Sequence, residues 1–294
     1  MMGKKKVNHE AEMKHRSMMD EAMRRLVRNK TAMLGLAILI IIILLCSFAN
    51  VICPEGYDVQ NMSARFTPPC KEYILGTDAL GRSMLARILY GGRSSLMIGF
   101  IAEFISIAIG TVLGLCAAFF GNKCDNIIMR TLDVLYAIPG MLLAICIGAL
   151  FGGSVRNCII AVSIAGIPGI ARTVRGPALS IMNMEYIEAT RSIDASNVRI
   201  MFRHILPNIS SVLIVSFTMG VGVCILTASS LSFLGLGVQP PSPEWGAMLS
   251  GAREYMSKYP YLITIPGLSI ATVVLSMNLF GDGLRDALDP KLKY

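Results

Sequence analysis

Six long apolar runs divide the chain, and nothing else in it constrains the fold so tightly. They fall at about Ala32–Ile52, Leu96–Phe120, Val134–Phe151, Cys158–Ala171, Ile209–Phe233 and Leu262–Phe280. A bilayer crossing takes about 20 mostly apolar residues at a rise of about 1.5 Å each. The third and fourth runs carry Pro139, Pro168 and several glycines. Inside a bundle such breaks are tolerated, because neighbouring helices satisfy the freed backbone groups. The expected fold is all-α: a polytopic membrane helix bundle with six transmembrane helices.

Composition agrees. The 294 residues are 54% hydrophobic and 16% charged, against about 25% charged in a soluble domain. The expected organisation is one transmembrane domain, 32–280, between a basic N-terminal segment, 1–31, and a C-terminal tail, 281–294. The net charge of +8 is uneven. Nine basic residues precede residue 31: Lys4, Lys5, Lys6, Lys14, Arg16, Arg24, Arg25, Arg28 and Lys30. Lying against a membrane span, this block marks a cytoplasmic N-terminus rather than a nucleic-acid surface. Six crossings then return the C-terminus to the same side. The loop between the fourth and fifth runs becomes cytoplasmic and carries Arg172, Arg175, Arg191, Arg199 and Arg203. The first external loop, about 53–95, runs against the rule, with Arg65, Lys71, Arg82, Arg87 and Arg93. The first apolar run is too long for a secretory h-region, and no clean cleavage pattern follows it.

The eight cysteines form no C-x-x-C pair. Cys46, Cys116, Cys146, Cys158 and Cys224 read as small packing residues. Cys53 and Cys70 share the external loop, where a disulfide and two free thiols are both open readings. The 19 methionines are read as packing rather than metal handling. Gly110 with Gly114, and Gly148 with Gly152, have the spacing that lets helices approach closely. Glu103 interrupts the second run, and an intramembrane carboxylate is a candidate for the transport pathway. The alternatives are a place near the external end or a pairing with another subunit.

The polar run Glu185–Asn208 stands between apolar segments, so it lies outside the lipid. Tyr186, Ile187, Ala189, Thr190 and Ile193 share one helical face, and Glu188 is three residues from Arg191. Asp194 precedes Ala195-Ser196-Asn197, where it can cap a second helix bearing Val198, Met201, Phe202 and Ile205. Arg199 and Arg203 fall on another side, and Pro207 ends the run. Two short helices at a corner make a knob for a soluble partner. An amphipathic helix on the lipid surface is the alternative.

This stretch resembles the EAA loop of bacterial ABC importer permeases, which reads Glu-Ala-Ala, three residues, Gly, and a Leu-Pro ending. Glu188-Ala189-Thr190 stands in the first place and Leu206-Pro207 in the last. Thr190 replaces the second alanine, and Asp194 occupies the glycine position. Three other segments resemble the dipeptide/oligopeptide/nickel permease family (DppC/OppC-like). Residues 75–83, LGTDALGRS, are similar to LGTDxxGRD, with Gly76, Asp78, Gly81 and Arg82 in place and Ser83 for the usual Asp. Residues 231–246 are similar to LSFLGLGxxPPxxxWG and include Trp245. Residues 281–290 are similar to GDxLRDxLDP, with Asp282, Arg285 and Asp286.

Each segment also has a local reading. Asp78 and Arg82 can pair across a glycine turn, which is either structural or in contact with substrate. Residues 234–246 make a rigid external loop with Trp245 as interfacial anchor, structural or touching a delivery protein. Asp282 can pair with Arg285 one turn on, as a clamp at the membrane exit.

The resemblance implies an ABC type I importer permease fold in the bacterial cytoplasmic membrane. It implies a homologous second permease, two cytoplasmic ATPases docked on the coupling loop, and an external solute-binding protein. Relatives carry dipeptides, oligopeptides or nickel complexes by alternating access. The sequence holds no G-x-x-x-x-G-K-[ST], H-E-x-x-H or G-x-S-x-G element. No cofactor or catalytic residue of its own is therefore expected, and ATP would be bound by the partner subunits. A self-contained secondary transporter or channel and an intramembrane enzyme are the rival readings. The first would show internal repeats, and the second would pair a catalytic group with Glu103.

Overall fold

The computed structural model describes residues 18–289. Of the basic block, Lys4, Lys5, Lys6, Lys14 and Arg16 lie outside the described residues, as does the tail from 290. The helices in chain order are α1 (Met18–Arg28), α2 (Lys30–Ser47), α3 (Ala49–Ile52), α4 (Met84–Phe120), α5 (Asn122–Tyr136), α6 (Gly140–Phe151) and α7 (Val155–Met182). They continue with α8 (Glu185–Ser192), α9 (Asn197–Arg199), α10 (Leu206–Asn208), α11 (Ser210–Phe233), α12 (Trp245–Ala252) and α13 (Tyr261–Leu288). A π-helical turn, Ile200–Ile205, joins α9 to α10.

Five of these helices are long and apolar enough to cross a membrane, and the bent pair α5–α6 makes a sixth span if counted as one. The third expected span, Val134–Phe151, is thus corrected: it straddles two helices that meet at 85°. Pro139 stands at the break and opens α6 without an N–H to donate. The expected run takes in only the last three residues of α5, whose earlier part carries Asp125, Arg130 and Asp133. Three other runs were too short. Hydropathy marks what lipid tolerates, not where a helix stops, and α4 extends back to Met84 while α7 runs on to Met182 with Pro168 and Pro177 inside it. The last helix likewise passes 280 to reach Leu288.

The ends are set by side chains. Asn29 accepts from the Ala32 N–H at 3.2 Å, Ser83 from Ala86 at 3.4 Å, and Ser154 from Asn157 at 3.1 Å. Each satisfies an amide that the first turn leaves without a partner.

Small residues bring the long helices together. A Cβ on Gly110 would stand 2.7 Å from the Ile170 side chain, and one on Gly114 would stand 2.6 Å from the Ala171 carbonyl. The α4–α7 pair therefore packs backbone against backbone, as the spacing predicted. Gly35 presses on the Ser276 carbonyl and Gly283 on Ala32, joining α2 to α13. The other small pair divides differently. Gly148 meets only ordinary contacts from Leu231 and Leu236, while Gly152 ends α6 with φ +80° and has open space around it.

Three of the apolar clusters matter most for the bundle. One joins α2, α4, α11, α12 and α13 through Leu39, Ile88, Ile225, Trp245 and Val273. A second joins α4, α6, α7 and α11 through Ile98, Ala144, Val162 and Leu231. The third lies where α4 and α7 end, and includes Leu115, Val174, Ile187, Ile200 and Ile205. Outside them, Leu34, Ile41, Phe104, Val223 and Leu275 are exposed on the spans. Helices apolar on all sides suit lipid or a second membrane subunit.

Candidate functional site

The 185–208 run folds as two helical pieces around a corner. The amide of Asp194 donates to the Arg191 carbonyl at 2.9 Å, and the amide of Ala195 donates to Thr190 at 3.4 Å. Those two bonds, with Asp194 left-handed at φ +57°, form a Schellman turn. The conformation at 194 is the one glycine adopts without penalty, which explains why the related pattern has glycine there. The cap of the next helix is Ser196, whose Oγ accepts from the Arg199 amide at 3.4 Å. The expected capping role of Asp194 is therefore corrected: its backbone makes the corner, and Ser196 begins the helix.

The apolar face is also redrawn. Ile187, Ile200, Met201 and Ile205 are buried against Leu115, Val174, Ala178 and Ile181. Ile193 is 78% exposed and Val198 66% exposed, and Tyr186 and Phe202 of the same run are also exposed. Glu188, Ala189, Arg199, Arg203 and Pro207 are exposed, whereas Ala195 and Leu206 are half-buried. The expected Glu188–Arg191 pair is not among the ion pairs of the described residues. Instead the Arg191 guanidinium lies 5.4 Å above the Phe119 ring.

At the opposite end of α4, Asp78 organises the loop before Met84. One carboxylate oxygen accepts from the amides of Leu80 (2.9 Å) and Arg82 (3.0 Å). The other takes Arg82 Nε at 2.7 Å and lies 3.5 Å from Arg87 Nε. The sequence anticipated the Asp78–Arg82 pair but not Arg87, which belongs to α4 and not to the loop. Gly76 (φ +77°) and Gly81 (φ +71°) are left-handed, and a Cβ on Gly81 would lie 1.7 Å from the Asn61 carbonyl. Tyr261 fastens the turn to α13 by donating to the Thr77 carbonyl at 2.8 Å. The remaining arginines are committed nearby: Arg65 donates to the Ala79 carbonyl, and Arg93 to the Cys46 and Ser47 carbonyls. Cys53 and Cys70 are both free.

Trp245 is a core residue, which corrects its expected place as interfacial anchor. It is 1% exposed, and its indole N–H donates to the Ile88 carbonyl at 3.0 Å. Glu244 before it, missed in the sequence, is fully buried and caps α12 by accepting from the Ala247 amide at 2.9 Å. Its other oxygen accepts from Ser95 (2.9 Å) and Ser229 (3.2 Å), tying α4 and α11 to α12. A glutamate directly after a proline-rich run has no signature of burial, so only tertiary structure reveals it.

Glu103 is 3% exposed and sits over Gly220 of α11. Cys224 Sγ donates to its Oε2 at 3.2 Å, and Oε1 has no hydrogen-bond partner. The structure thus places it between α4 and α11, inside the protein. Asp282, Arg285 and Asp286 are exposed at the end of α13, while Gly281 and Gly283 between them face Met219 and Ala32. No ion pair joins Asp282 to Arg285 among the described residues, which corrects the expected clamp. The glycines, not the charges, make the contact there. A different pair of ion pairs fixes α5 to α7: Arg175 with Asp125, and Arg172 with Asp133.

Residues 110–294 match the family described as binding-protein-dependent transport system inner membrane component. The chain belongs to this family of ABC importer permeases. Residues 17–69 match the N-terminal TM domain of oligopeptide transport permease C, which places it in the DppC/OppC-like branch. The permease is similar to the dipeptide transport system permease protein DppC of Alkalihalophilus pseudofirmus. The two are 44% identical over 273 residues, covering 93% of this chain and 90% of the relative. It is similar to the glutathione transport system permease protein GsiD of Pectobacterium atrosepticum at 45% identity, covering 93% and 91%. GsiD of Escherichia coli is 47% identical over 277 residues, covering 93% and 90%. Among solved structures, the inward-facing MetNI methionine ABC transporter superposes with a TM-score of 0.55 at 19% identity. That match covers 68% of this permease and 94% of the MetNI chain. The fold is accordingly that of an ABC importer permease.

Proposed function

We propose that this permease forms half of the translocation pathway of an ATP-driven importer for short peptides. Its relatives are named for a dipeptide and for glutathione, itself a tripeptide. No relative named above is described as carrying a metal complex, so the nickel alternative has no separate support. The pathway would be completed by a homologous second permease, with an external solute-binding protein delivering the peptide. In this reading the N- and C-termini lie in the cytoplasm of a bacterium, as the basic residues of 1–31 and of the knob favour.

The observation that carries the coupling role is the outward apolar pair Ile193–Val198. Buried Ile187, Ile200 and Ile205 hold the corner on the bundle, and the exposed pair is left for a partner. Two cytoplasmic ATPases, binding ATP that this chain does not bind, would dock there. Their closure would rock the helices between inward and outward states that differ in affinity for the peptide. The chain itself would take no catalytic part.

The test is expression of the permease with its neighbouring transport subunits, purification, and reconstitution with the binding protein. The expected result is co-purification of ATPase subunits and peptide uptake that requires ATP and the binding protein. Uptake by the permease alone, driven by an ion gradient, would establish the secondary-transporter reading instead.

A further inference from the structure

The turn around Asp78 roofs a cavity of about 120 Å³ whose lining includes Asp78, Arg82, Arg87, Ala247, Met248 and Tyr255. Arg87 is 8% exposed, and its Nη1 has no hydrogen-bond partner. A buried charged donor left unmade is costly, so such a group calls for an acceptor.

Asp78 does not provide one. Its carboxylate already receives the amides of Leu80 and Arg82 and the Nε of Arg82, and it reaches Arg87 only at Nε, 3.5 Å away. Asp58 stands on the other side of Arg82, 3.8 Å from its Nη1, and is half exposed. Met84, the first residue of α4, also lines the cavity. The positive end of a 37-residue helix therefore adds to the field of the two arginines. The opposite wall is apolar, formed by Met248, Ala252 and Leu262. One free guanidinium donor, a helix N-terminus and an apolar wall suit a small anion with a short carbon stem.

We propose that this cavity binds a single small carboxylate, held by Arg87 Nη1. The guanidinium fork donates to carboxylate oxygens in its own plane. The space admits the carboxylate end of a ligand and not a whole peptide. Two sources offer that group: a free monocarboxylate, or the C-terminus of a peptide. The site stands whether or not the cargo is a peptide, and the formate measurement below does not depend on the cargo.

The test uses the permease assembled with its partner subunits in lipid nanodiscs. Melting temperature is followed during titration with sodium formate or acetate. Sodium pivalate at equal ionic strength is the control, having the same headgroup and charge on a stem too bulky for the cavity. A saturable rise with formate and acetate but not pivalate is expected, and Arg87→Gln should lose it. Ala247→Leu should lose it too, because it fills the cavity and leaves Arg87, Asp78 and Arg82 in place. That second variant keeps the test decisive if Arg87→Gln fails to fold. No rise, an equal rise with pivalate, or a rise that survives Ala247→Leu would overturn the site. Alanyl-alanine and its C-terminal amide are titrated alongside. A rise with the free acid alone assigns the carboxylate to a peptide terminus, and a rise with formate but neither peptide form assigns it to a free monocarboxylate. Equal rises from the acid and the amide would count against carboxylate recognition.

Discussion

The amide of Ala195 bonds to the carbonyl of Thr190 across a left-handed Asp194. This closes the α8 corner with an aspartate where the related pattern has glycine. The turn is therefore kept by hydrogen bonds at a residue that does not favour its backbone angles.

Asp194→Gly should stabilise the corner by roughly 1 kcal/mol, the usual penalty of an L-residue in that region. Hydrogen exchange at the amides of 194 and 195 should slow in the variant. Asp194→Val should have the opposite effect, since a β-branched side chain tolerates positive φ poorly.

Ile193→Asp and Val198→Asp alter side chains that touch little within the chain. Stability should change by no more than about 0.5 kcal/mol, and membrane insertion should be normal. Co-purification of the ATPase subunits should fall sharply. Variants that retain the ATPase would remove the docking role from this face.

Asp78→Asn should destabilise the outer end of α4 by about 3 kcal/mol, because it leaves the largely buried Arg82 and Arg87 without their carboxylate. Gly81→Ala should be at least as harmful, given the 1.7 Å approach of its Cβ to the Asn61 carbonyl. Thermal unfolding in detergent, followed by tyrosine and tryptophan fluorescence, measures both.

Trp245→Phe should cost about 1 kcal/mol for the lost bond to the Ile88 carbonyl. Trp245→Ala should cost about 3–5 kcal/mol through the cavity it leaves. An interfacial tryptophan would show much smaller losses, so the same unfolding assay separates the two placements.

Gly220→Ala should clash with Glu103, whose Oε1 stands 2.2 Å from the added Cβ. Glu103→Ala should relieve that clash, so the double variant should express better than Gly220→Ala alone. Glu103→Gln keeps the shape of the side chain and should keep the fold. Unchanged uptake at normal expression in that variant would remove Glu103 from the transport pathway.

Long-range hydropathy made the bundle legible, because lipid imposes the same requirement on every span. The 75–83 turn was also readable, since Gly76, Gly81, Asp78 and Arg82 meet within a few residues. What escaped was set by partners far along the chain. Trp245 looks the same in sequence whether it faces lipid headgroups or the Ile88 carbonyl 157 residues away. The 85° elbow escaped because hydropathy averages over a break, and Pro139 alone does not distinguish a kink from a turn. On the knob, Ile193 and Ile187 are equally apolar, and only packing decides which faces inward.

The backbone contact of Gly110 and Gly114 with α7 has a mechanical meaning. At about 1.5 Å per residue, the 37 residues of α4 make a rod about 55 Å long. Leu115 and Phe119 near one end touch the knob, and Arg87 and Met84 at the other border the carboxylate cavity. With Gly110 and Gly114 seating α7 directly on the α4 backbone, the two ends belong to one strut. A push on the corner at Asp194 would then be felt as a tilt at Asp78, beside the far end of α4.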